Sequence, residues 1–203
     1  MTLDPYLIPG TATLRNLVGI TDPDELARFE TNVSVARIAQ LRSGFKLPGR
    51  PGWDLEHLKA VHRHIFQDVY DWAGTVRTVA MSKGEDFHPL PNPLYAQGIF
   101  ERLHADDMLR SLDRSSFVCK VSQLESDLFA LHPFREGNTR STTTFVALVA
   151  DQAGWRLDWS ACDPARFQEA LRASYRAGEA AGWREIVGLV DEITRGHEPS
   201  DAT

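Results

Sequence analysis

Apolar residues recur at three- and four-residue steps through most of the chain, and this period predicts amphipathic helices. The second such segment shows the pattern well, because Leu58, Val61, His62 and Ile65 fall on one face. Seven segments of this kind begin at a capping residue, a proline or a glycine, near Thr21, Asp54, Asn92, Ser115 or Ser116, Asn138, Asp163 and Gly182. The chain is therefore predicted to be mainly α, a helical bundle of about seven or eight helices.

One stretch departs from the helical period and lies between residues 74 and 88. There the β-branched Val76, Thr78 and Val79 precede the turn signal Ser82-Lys83-Gly84, which predicts a small β-hairpin. A two-stranded ribbon is marginally stable by itself, so we expect this hairpin to pack against the helices.

Length and composition are those of one globular domain. The chain has 203 residues, of which 42% are hydrophobic and 25% charged, enough to bury a core. Residues 42–53 are predicted to form a loop, not a linker, because neither side holds a complete core. We expect a single domain with its core at 54–160, a helical lead over 1–53, further helices over 161–195 and a frayed tail over 196–203.

Composition also excludes several classes of function. A net charge of −6 argues against a nucleic-acid surface, and no apolar run is long enough for a membrane span. Cys119 and Cys162 form no disulfide framework and no metal-ligand spacing, and the first residues do not read as a leader. We therefore expect no nucleic-acid or membrane partner and a cytoplasmic location, or a host cell reached through a dedicated secretion system.

The segment between the fourth and fifth helices, residues 132–140 (HPFREGNTR), brings polar groups next to the predicted core. Pro133 ends the preceding helix, and Phe134 is an apolar anchor for the turn. Gly137 permits a backbone conformation that a side chain would forbid. Asn138 is predicted to cap the fifth helix, which leaves the N–H groups after it facing the turn.

The side chains of this turn suit phosphate chemistry. The imidazole of His132 is the kind of group that accepts a proton at neutral pH. Glu136 offers a hard oxygen ligand for Mg²⁺, and Arg140 adds a cation where the helix N-terminus already attracts anions. Taken singly, each residue has an ordinary structural reading, such as a surface charge or a helix-dipole acid. Their combination within nine residues favours phosphate chemistry over any other class.

The turn resembles the signature of the Fic family, H-x-F-x-[D/E]-G-N-G-R-x-x-R. The resemblance covers about residues 5–160 and includes the lead at 9–21, the helix and hairpin at 62–84 and the segment at 152–159. It implies the Fic fold, with the hairpin as a flap. It also implies transfer of AMP from ATP to a Ser, Thr or Tyr hydroxyl of a target protein, with release of pyrophosphate.

Roles for single residues follow from the same resemblance. His132 would deprotonate the target hydroxyl, and Glu136 would hold Mg²⁺ against the phosphates. The residues that would bind the nucleotide are Lys83, Gly84, Gly137, Asn138, Thr139 and Arg140. The residues of the flap that would dock the target segment by strand addition are Thr78, Val79, Ser82 and Phe87.

Two positions depart from the signature. Thr139 stands in place of its second glycine, and a β-branched residue there would narrow the phosphate cradle. Thr143 stands in place of its second arginine, which would weaken ATP binding. Two alternatives therefore stay open beside AMP transfer. One is altered chemistry, with another nucleotide donor or phosphoryl transfer; the other is an inactive module that binds a nucleotide or a partner.

Control of activity is open in the same way. The family's inhibitory pattern, [S/T]-x-x-x-E-[G/N], is completed neither after Thr21 nor after Thr194. A separate small antitoxin protein and the absence of any glutamate-type inhibition are both compatible with this. We prefer the second, because Thr143 replaces the arginine that such a glutamate would bind.

Overall fold

The computed structural model describes residues 4–49, 51–83, 86–177 and 183–196. Within these ranges the chain is mainly helical, as predicted. The helices are α1 (Pro23–Arg42), α2 (Leu55–Phe66), α3 (Pro93–Ala105), α4 (Arg114–Leu131), α5 (Asn138–Gln152), α6 (Pro164–Ala177) and α7 (Trp183–Ile193). The strands are β1 (Met81–Lys83), β2 (Asp86–His88), β3 (Arg156–Leu157) and β4 (Thr194–Arg195). Gly182 and the tail after Gly196 lie outside the described residues.

Polar side chains cap the first three helices where the sequence predicts them. Asp22 accepts a hydrogen bond from the Glu25 N–H at 2.7 Å, and Asp54 accepts one from the His57 N–H at 2.8 Å. Asn92 caps α3 in the same way. These interactions are local, so sequence alone is enough to find them.

The starts of α4 and α5 were predicted less well. Asp113 caps α4 by accepting from the Ser116 N–H, so the prediction of a serine cap is wrong. Gly137 is the N-cap of α5, and Asn138 is the first residue of that helix and not its cap. The Asn138 side chain is used elsewhere in the turn, as described below.

Helices α2, α4 and α5 pack together at the centre of the fold. α1 lies against α2, α3 lies against α4, and α6 and α7 cover another side of α4. The predicted apolar face of α2 is fully buried, including His62. The C-terminal end of α4 and the N-terminal end of α5 meet at the turn that carries the candidate chemistry, so that turn is held between two central helices.

The hairpin is present, but the turn predicted at Ser82-Lys83-Gly84 is wrong. β1 and β2 pair antiparallel, with Ser82 opposite Phe87, so Ser82 and Lys83 lie in the first strand and Gly84 is outside the described residues. Val76, Thr78 and Val79 precede β1 without joining a strand. The buried guanidinium of Arg77 donates to the Val79 and His88 carbonyls, and these bonds hold that segment apart from the ladder.

A second antiparallel pair, β3 with β4, was not predicted. Each strand has two residues, too few for an alternating pattern to show in the sequence. No helix among the described residues has the length and apolar character needed to cross a membrane.

Candidate active site

The backbone of His132 is fixed where α4 ends. His132 is the C-cap of α4 in the left-handed conformation, with φ of 44°, and its N–H donates to the Leu128 carbonyl. Its own carbonyl accepts from the Nε of buried Arg77 at 2.8 Å. A non-glycine residue adopts this conformation only where its surroundings impose it, which is typical of functional sites.

The ring of His132 lies among other rings. It stacks on His88 of β2 with centroids 3.8 Å apart and planes 19° apart, and Phe129 approaches its edge at 5.9 Å. The residue is only 4% exposed, yet it lines the cavity described below. The imidazole therefore has a defined orientation at the wall of a pocket.

Asn138 ties the turn to itself. Its Oδ1 accepts from the Phe134 N–H at 2.8 Å, and its Nδ2 donates to the Phe134 carbonyl at 2.7 Å. Both ends of the amide are thus used by the backbone of the turn, and the side chain is buried. Binding of the nucleotide by this side chain remains a prediction; its described role is to set the shape of the loop.

Gly137 cannot carry a side chain at this position. Its φ is +77°, and a Cβ there would lie 2.2 Å from the ring of Phe66. Both the left-handed backbone and the close approach of the ring require glycine. α2 therefore supports the start of α5 directly.

His62 of α2 packs against the turn at residues 132–140. It was not identified as a functional residue from the sequence. It stacks on Phe134 at 3.8 Å, and its Nδ1 accepts from the Gly74 N–H at 2.8 Å. Burial lowers the pKa of His62 to about 4, so the ring is neutral at pH 7 and carries its proton on Nε2. That N–H donates to the Glu136 carbonyl at 3.0 Å. Its place on the buried face of α2 was the one available signal in the sequence.

Glu136 and Arg140 lie on the cavity side of the turn. The Glu136 carboxylate accepts from the Gly137 N–H at 2.9 Å and lies 3.7 Å from the Arg140 guanidinium. Its side chain is 24% exposed, so a carboxylate oxygen is accessible to a bound ion. The described residues contain no group of three or more His, Cys, Asp or Glu that could hold a metal ion, so Glu136 does not belong to such a cluster.

Contacts from α1 and α2 orient Arg140. Its guanidinium donates to Glu30 at 2.5 Å and to the Ser34 hydroxyl at 3.0 Å, and it lies 4.8 Å above the ring of Phe66. Glu30 also accepts from the hydroxyl of Tyr70. Glu30 and Ser34 are more than a hundred residues away in the chain, and no sequence motif indicates them.

These residues surround a cavity of about 470 Å³. The turn and the first residues of α5 form one wall, with His132, Glu136, Thr139 and Arg140. Residues of α6 and of the short turn before it form the facing wall, among them Trp159, Phe167 and Arg172. The volume and the mixture of apolar walls with a few polar groups are those of a small-molecule site.

The two threonines that depart from the signature both line this cavity. The Thr143 hydroxyl donates to the Thr139 carbonyl one turn earlier, at 2.8 Å. Thr143 therefore supplies no positive charge to the cavity, unlike the arginine of the signature. The positively charged side chains on the described lining are Arg140 and Arg172.

The structure separates the predicted flap residues into two groups. Ser82 and Phe87 face each other across the hairpin, and both are exposed, Phe87 by 58%. Thr78 and Val79 lie before β1, where Thr78 donates its N–H to the hydroxyl of Tyr6. Gly84 and the side chain of Lys83 are not among the described residues.

Comparisons with known proteins identify the family of the chain. Residues 52–150 match the family model described as Fic/DOC family. The probable protein adenylyltransferase y4lH of Sinorhizobium fredii is 37% identical over 95% of both chains. The protein adenylyltransferase VbhT of Bartonella schoenbuchensis is 37% identical over 84% of this chain, which spans 35% of that longer protein.

The fold is shared with solved structures. The BepC effector protein of Bartonella tribocorum, solved with bound AMPPNP, superposes with a TM-score of 0.86 at 24% identity, over 95% of this chain and 97% of that one. The N-terminal Fic domain of an effector from Bartonella sp. AR 15-3 gives a TM-score of 0.87 at 25% identity, over 94% and 91%. The predicted mainly α fold with a small hairpin is thereby confirmed.

Proposed function

The chain belongs to the Fic/DOC family, and we propose that it transfers AMP from ATP to a hydroxyl side chain of a target protein, releasing pyrophosphate. The observation that carries the proposal is the fixed imidazole of His132 at the wall of the cavity that Arg140 and the N-terminus of α5 also line. The relatives named as protein adenylyltransferases support the same reaction.

His132 acts as the general base. It takes the proton of the acceptor hydroxyl as that oxygen attacks the α-phosphorus of ATP. The new bond joins the acceptor oxygen to the α-phosphorus, and the bond from the α-phosphorus to the bridging oxygen breaks, so pyrophosphate leaves with that oxygen. The reaction needs positioning and charge neutralisation more than covalent catalysis. A rigid turn between two central helices supplies the positioning.

The phosphates lie at the start of α5. The first N–H groups of that helix have no acceptor within it, and the helix dipole adds positive potential there. Arg140 neutralises the leaving phosphates. Glu136 would hold Mg²⁺, and the ion would supply further neutralisation of the phosphate charge. One accessible carboxylate beside a phosphate cradle fits this ion, which binds proteins through few carboxylates.

The acceptor segment docks on the hairpin. The Tyr175 hydroxyl donates to the Phe87 carbonyl at 2.6 Å, so α6 already occupies one side of β2. β1 is left as the strand that can take an added strand, with Ser82 on its exposed face. Strand addition there places the acceptor segment beside β1, whose Met81 pairs with His88, and His132 stacks on that residue.

Control and location complete the proposal. Because the Thr143 hydroxyl is turned to the backbone, it offers an inhibitory glutamate nothing to bind, and this supports the absence of that form of inhibition. A small antitoxin protein is the alternative means of control. The reaction needs ATP and protein targets, which are present in the cytoplasm of the protein's own cell and in that of a host cell reached by secretion.

Transfer of label tests the proposal. We expect a chain incubated with Mg²⁺, ATP labelled at the α-phosphate and cell extract to label protein, and His132→Ala to lower the rate by about 10²–10⁴-fold. His104→Ala, which removes an exposed histidine of α3, is the matched control and keeps the wild-type rate. Equal labelling by wild type and His132→Ala would refute the assignment.

A second candidate rests on Thr139, which lines the cavity where the family signature has glycine. It is the same site with altered chemistry: another nucleoside triphosphate as donor, or transfer of the terminal phosphoryl group. Parallel reactions with UTP and GTP, and with ATP labelled at the γ-phosphate, separate these outcomes. Tight nucleotide binding in a calorimeter without any transfer would identify an inactive binding module.

A further inference from the structure

A stack of three rings joins helix α6, the hairpin and the proposed base. The ring of Tyr175 in α6 lies on one face of His88 at 5.0 Å, with planes 23° apart. The ring of His132 also stacks on His88, at 3.8 Å with planes 19° apart. Phe129 of α4 packs edge-on against all three rings, at 5.8 to 6.0 Å. His88 is the middle member, and it is 1% exposed.

The backbones of the two histidines are tied together as well. Arg77 donates through Nε to the His132 carbonyl at 2.8 Å and through an amino group to the His88 carbonyl at 3.3 Å. The same guanidinium donates to the Pro89 carbonyl at 2.5 Å. One buried cation thus sets the distance between the hairpin and the turn, and the ring stack sets the orientation of the imidazoles.

Helix α6 holds each described residue of β2. Asp86 accepts from Arg176 at 2.7 Å and lies 3.4 Å from Arg172. The Tyr175 hydroxyl donates to the Phe87 carbonyl, and its ring lies on His88. Strands of three residues are too short to keep a hairpin in place by pairing alone, so these contacts decide where β2 lies.

We propose that His88 is a positioning residue that acts through His132. Its ring fixes the plane of the base, and Tyr175 holds His88 in turn, so the hairpin that docks the acceptor and the group that deprotonates the acceptor are held as one unit. This inference rests on the proposed function above. A small displacement of a reacting group lowers the reaction rate strongly. A stack that prevents rotation of the His132 ring therefore preserves the rate.

Substitutions at position 88 test the stack. We expect His88→Ala to lower kcat by about tenfold to a hundredfold, with a smaller change in the KM for ATP, because His88 lines the cavity but the proposed phosphate-binding residues are untouched. His88→Phe keeps a flat ring between Tyr175 and His132 and should restore most of kcat. If His88→Phe is as impaired as His88→Ala, the positioning role of the ring stack is refuted.

A matched control separates positioning from loss of packing. His64 of α2 is also buried and stacked, on Phe45 at 4.6 Å, but it has no described contact with the turn. His64→Ala should lose stability on a similar scale with kcat unchanged. An equal fall of kcat in both alanine variants would mean that the effect of His88 is only structural.

A readout in the absence of turnover distinguishes this inference from the proposed function. The ring protons of His132 lie over the face of His88, so their NMR signals should be shifted upfield in wild type and in His88→Phe, and should move downfield in His88→Ala. Signals that do not change among the three proteins would overturn the stack. A protein with these shifts but no nucleotidyl transfer would instead refute the proposed function and leave the packing assignment standing.

Discussion

The described residues bury two glutamates, and their surroundings differ completely. Glu30 in α1 is 6% exposed and accepts from the Tyr70 hydroxyl and the Arg140 guanidinium. Glu125 in α4 is fully buried, and neither of its carboxyl oxygens has a hydrogen-bond partner. The first glutamate binds Arg140 of the proposed active site, whereas the second lies in α4, two helical turns before His132.

The difference shows how a protein keeps or loses a buried charge. Burial raises the pKa of Glu125 to about 8, because no donor compensates for the lost water, so this side chain is a neutral acid at pH 7. Burial and the neighbouring Glu30 carboxylate raise the pKa of Tyr70 as well, which keeps its hydroxyl protonated as a donor. The buried Glu30 carboxylate, which has hydrogen-bond donors around it, thus binds Arg140. The buried Glu125 carboxyl group, which has none, lowers the stability of the fold.

The largest effect is expected from removing the partnered carboxylate. Glu30→Ala leaves Arg140 and Tyr70 without their acceptor and should lower the free energy of unfolding by about 3 kcal/mol, since Arg140 is partly exposed and can regain water. ATP affinity should fall too, because Arg140 is no longer oriented. Urea unfolding and calorimetry measure both quantities. Glu25→Ala, on the exposed face of α1, is the control, and equal behaviour of the two variants would contradict the comparison.

The opposite change in the free energy of unfolding is expected when the carboxyl group of Glu125, which has no hydrogen-bond partner, is replaced. Glu125→Met replaces it by an apolar side chain of similar volume and should raise the free energy of unfolding at pH 7 by on the order of 2–3 kcal/mol. Thermal and urea unfolding of the two proteins side by side provide the measurement. A destabilised variant would show that Glu125 has a role in the fold that its contacts do not reveal.

The pH dependence of that difference sharpens the comparison. The folded state holds the Glu125 proton up to about pH 8, while the unfolded chain releases it near its ordinary pKa of 4.5. Between these values the folded state binds more protons, so wild-type stability falls with rising pH relative to Glu125→Met. The gap should be small below pH 4.5 and constant above pH 8. A gap independent of pH would assign the gain to packing alone.

A smaller loss is expected at Tyr70. Tyr70→Phe removes one hydrogen bond to the Glu30 carboxylate but keeps the ring stacked on Trp72 at 4.1 Å. The free energy of unfolding should fall by about 1.5 kcal/mol, typical of a hydrogen bond to a charged group. In a double-mutant cycle with Glu30→Gln, additive losses would argue that the two side chains are not coupled.

Much of the fold can be predicted from local patterns in the sequence. Asp22, Asp54 and Asn92 each cap a helix within three residues of the side chain, and the buried face of α2 follows from its period. The turn at 132–140 was identified by the chemistry of its residue types alone. In contrast, the predicted turn of the hairpin lies too early in the chain, because Arg77 holds the segment before β1 away from the ladder through bonds to the Val79 and His88 carbonyls.

The amino-acid sequence by itself therefore determined the helices, most of their caps and the candidate catalytic turn, since these depend on residues a few positions apart. Tertiary structure decided what supports that turn: Phe66 against Gly137, Glu30 on Arg140, and His88 on His132. The physical reason is sequence separation. Those contacts join residues 44 to 110 positions apart, and only the packing of whole helices brings such residues together.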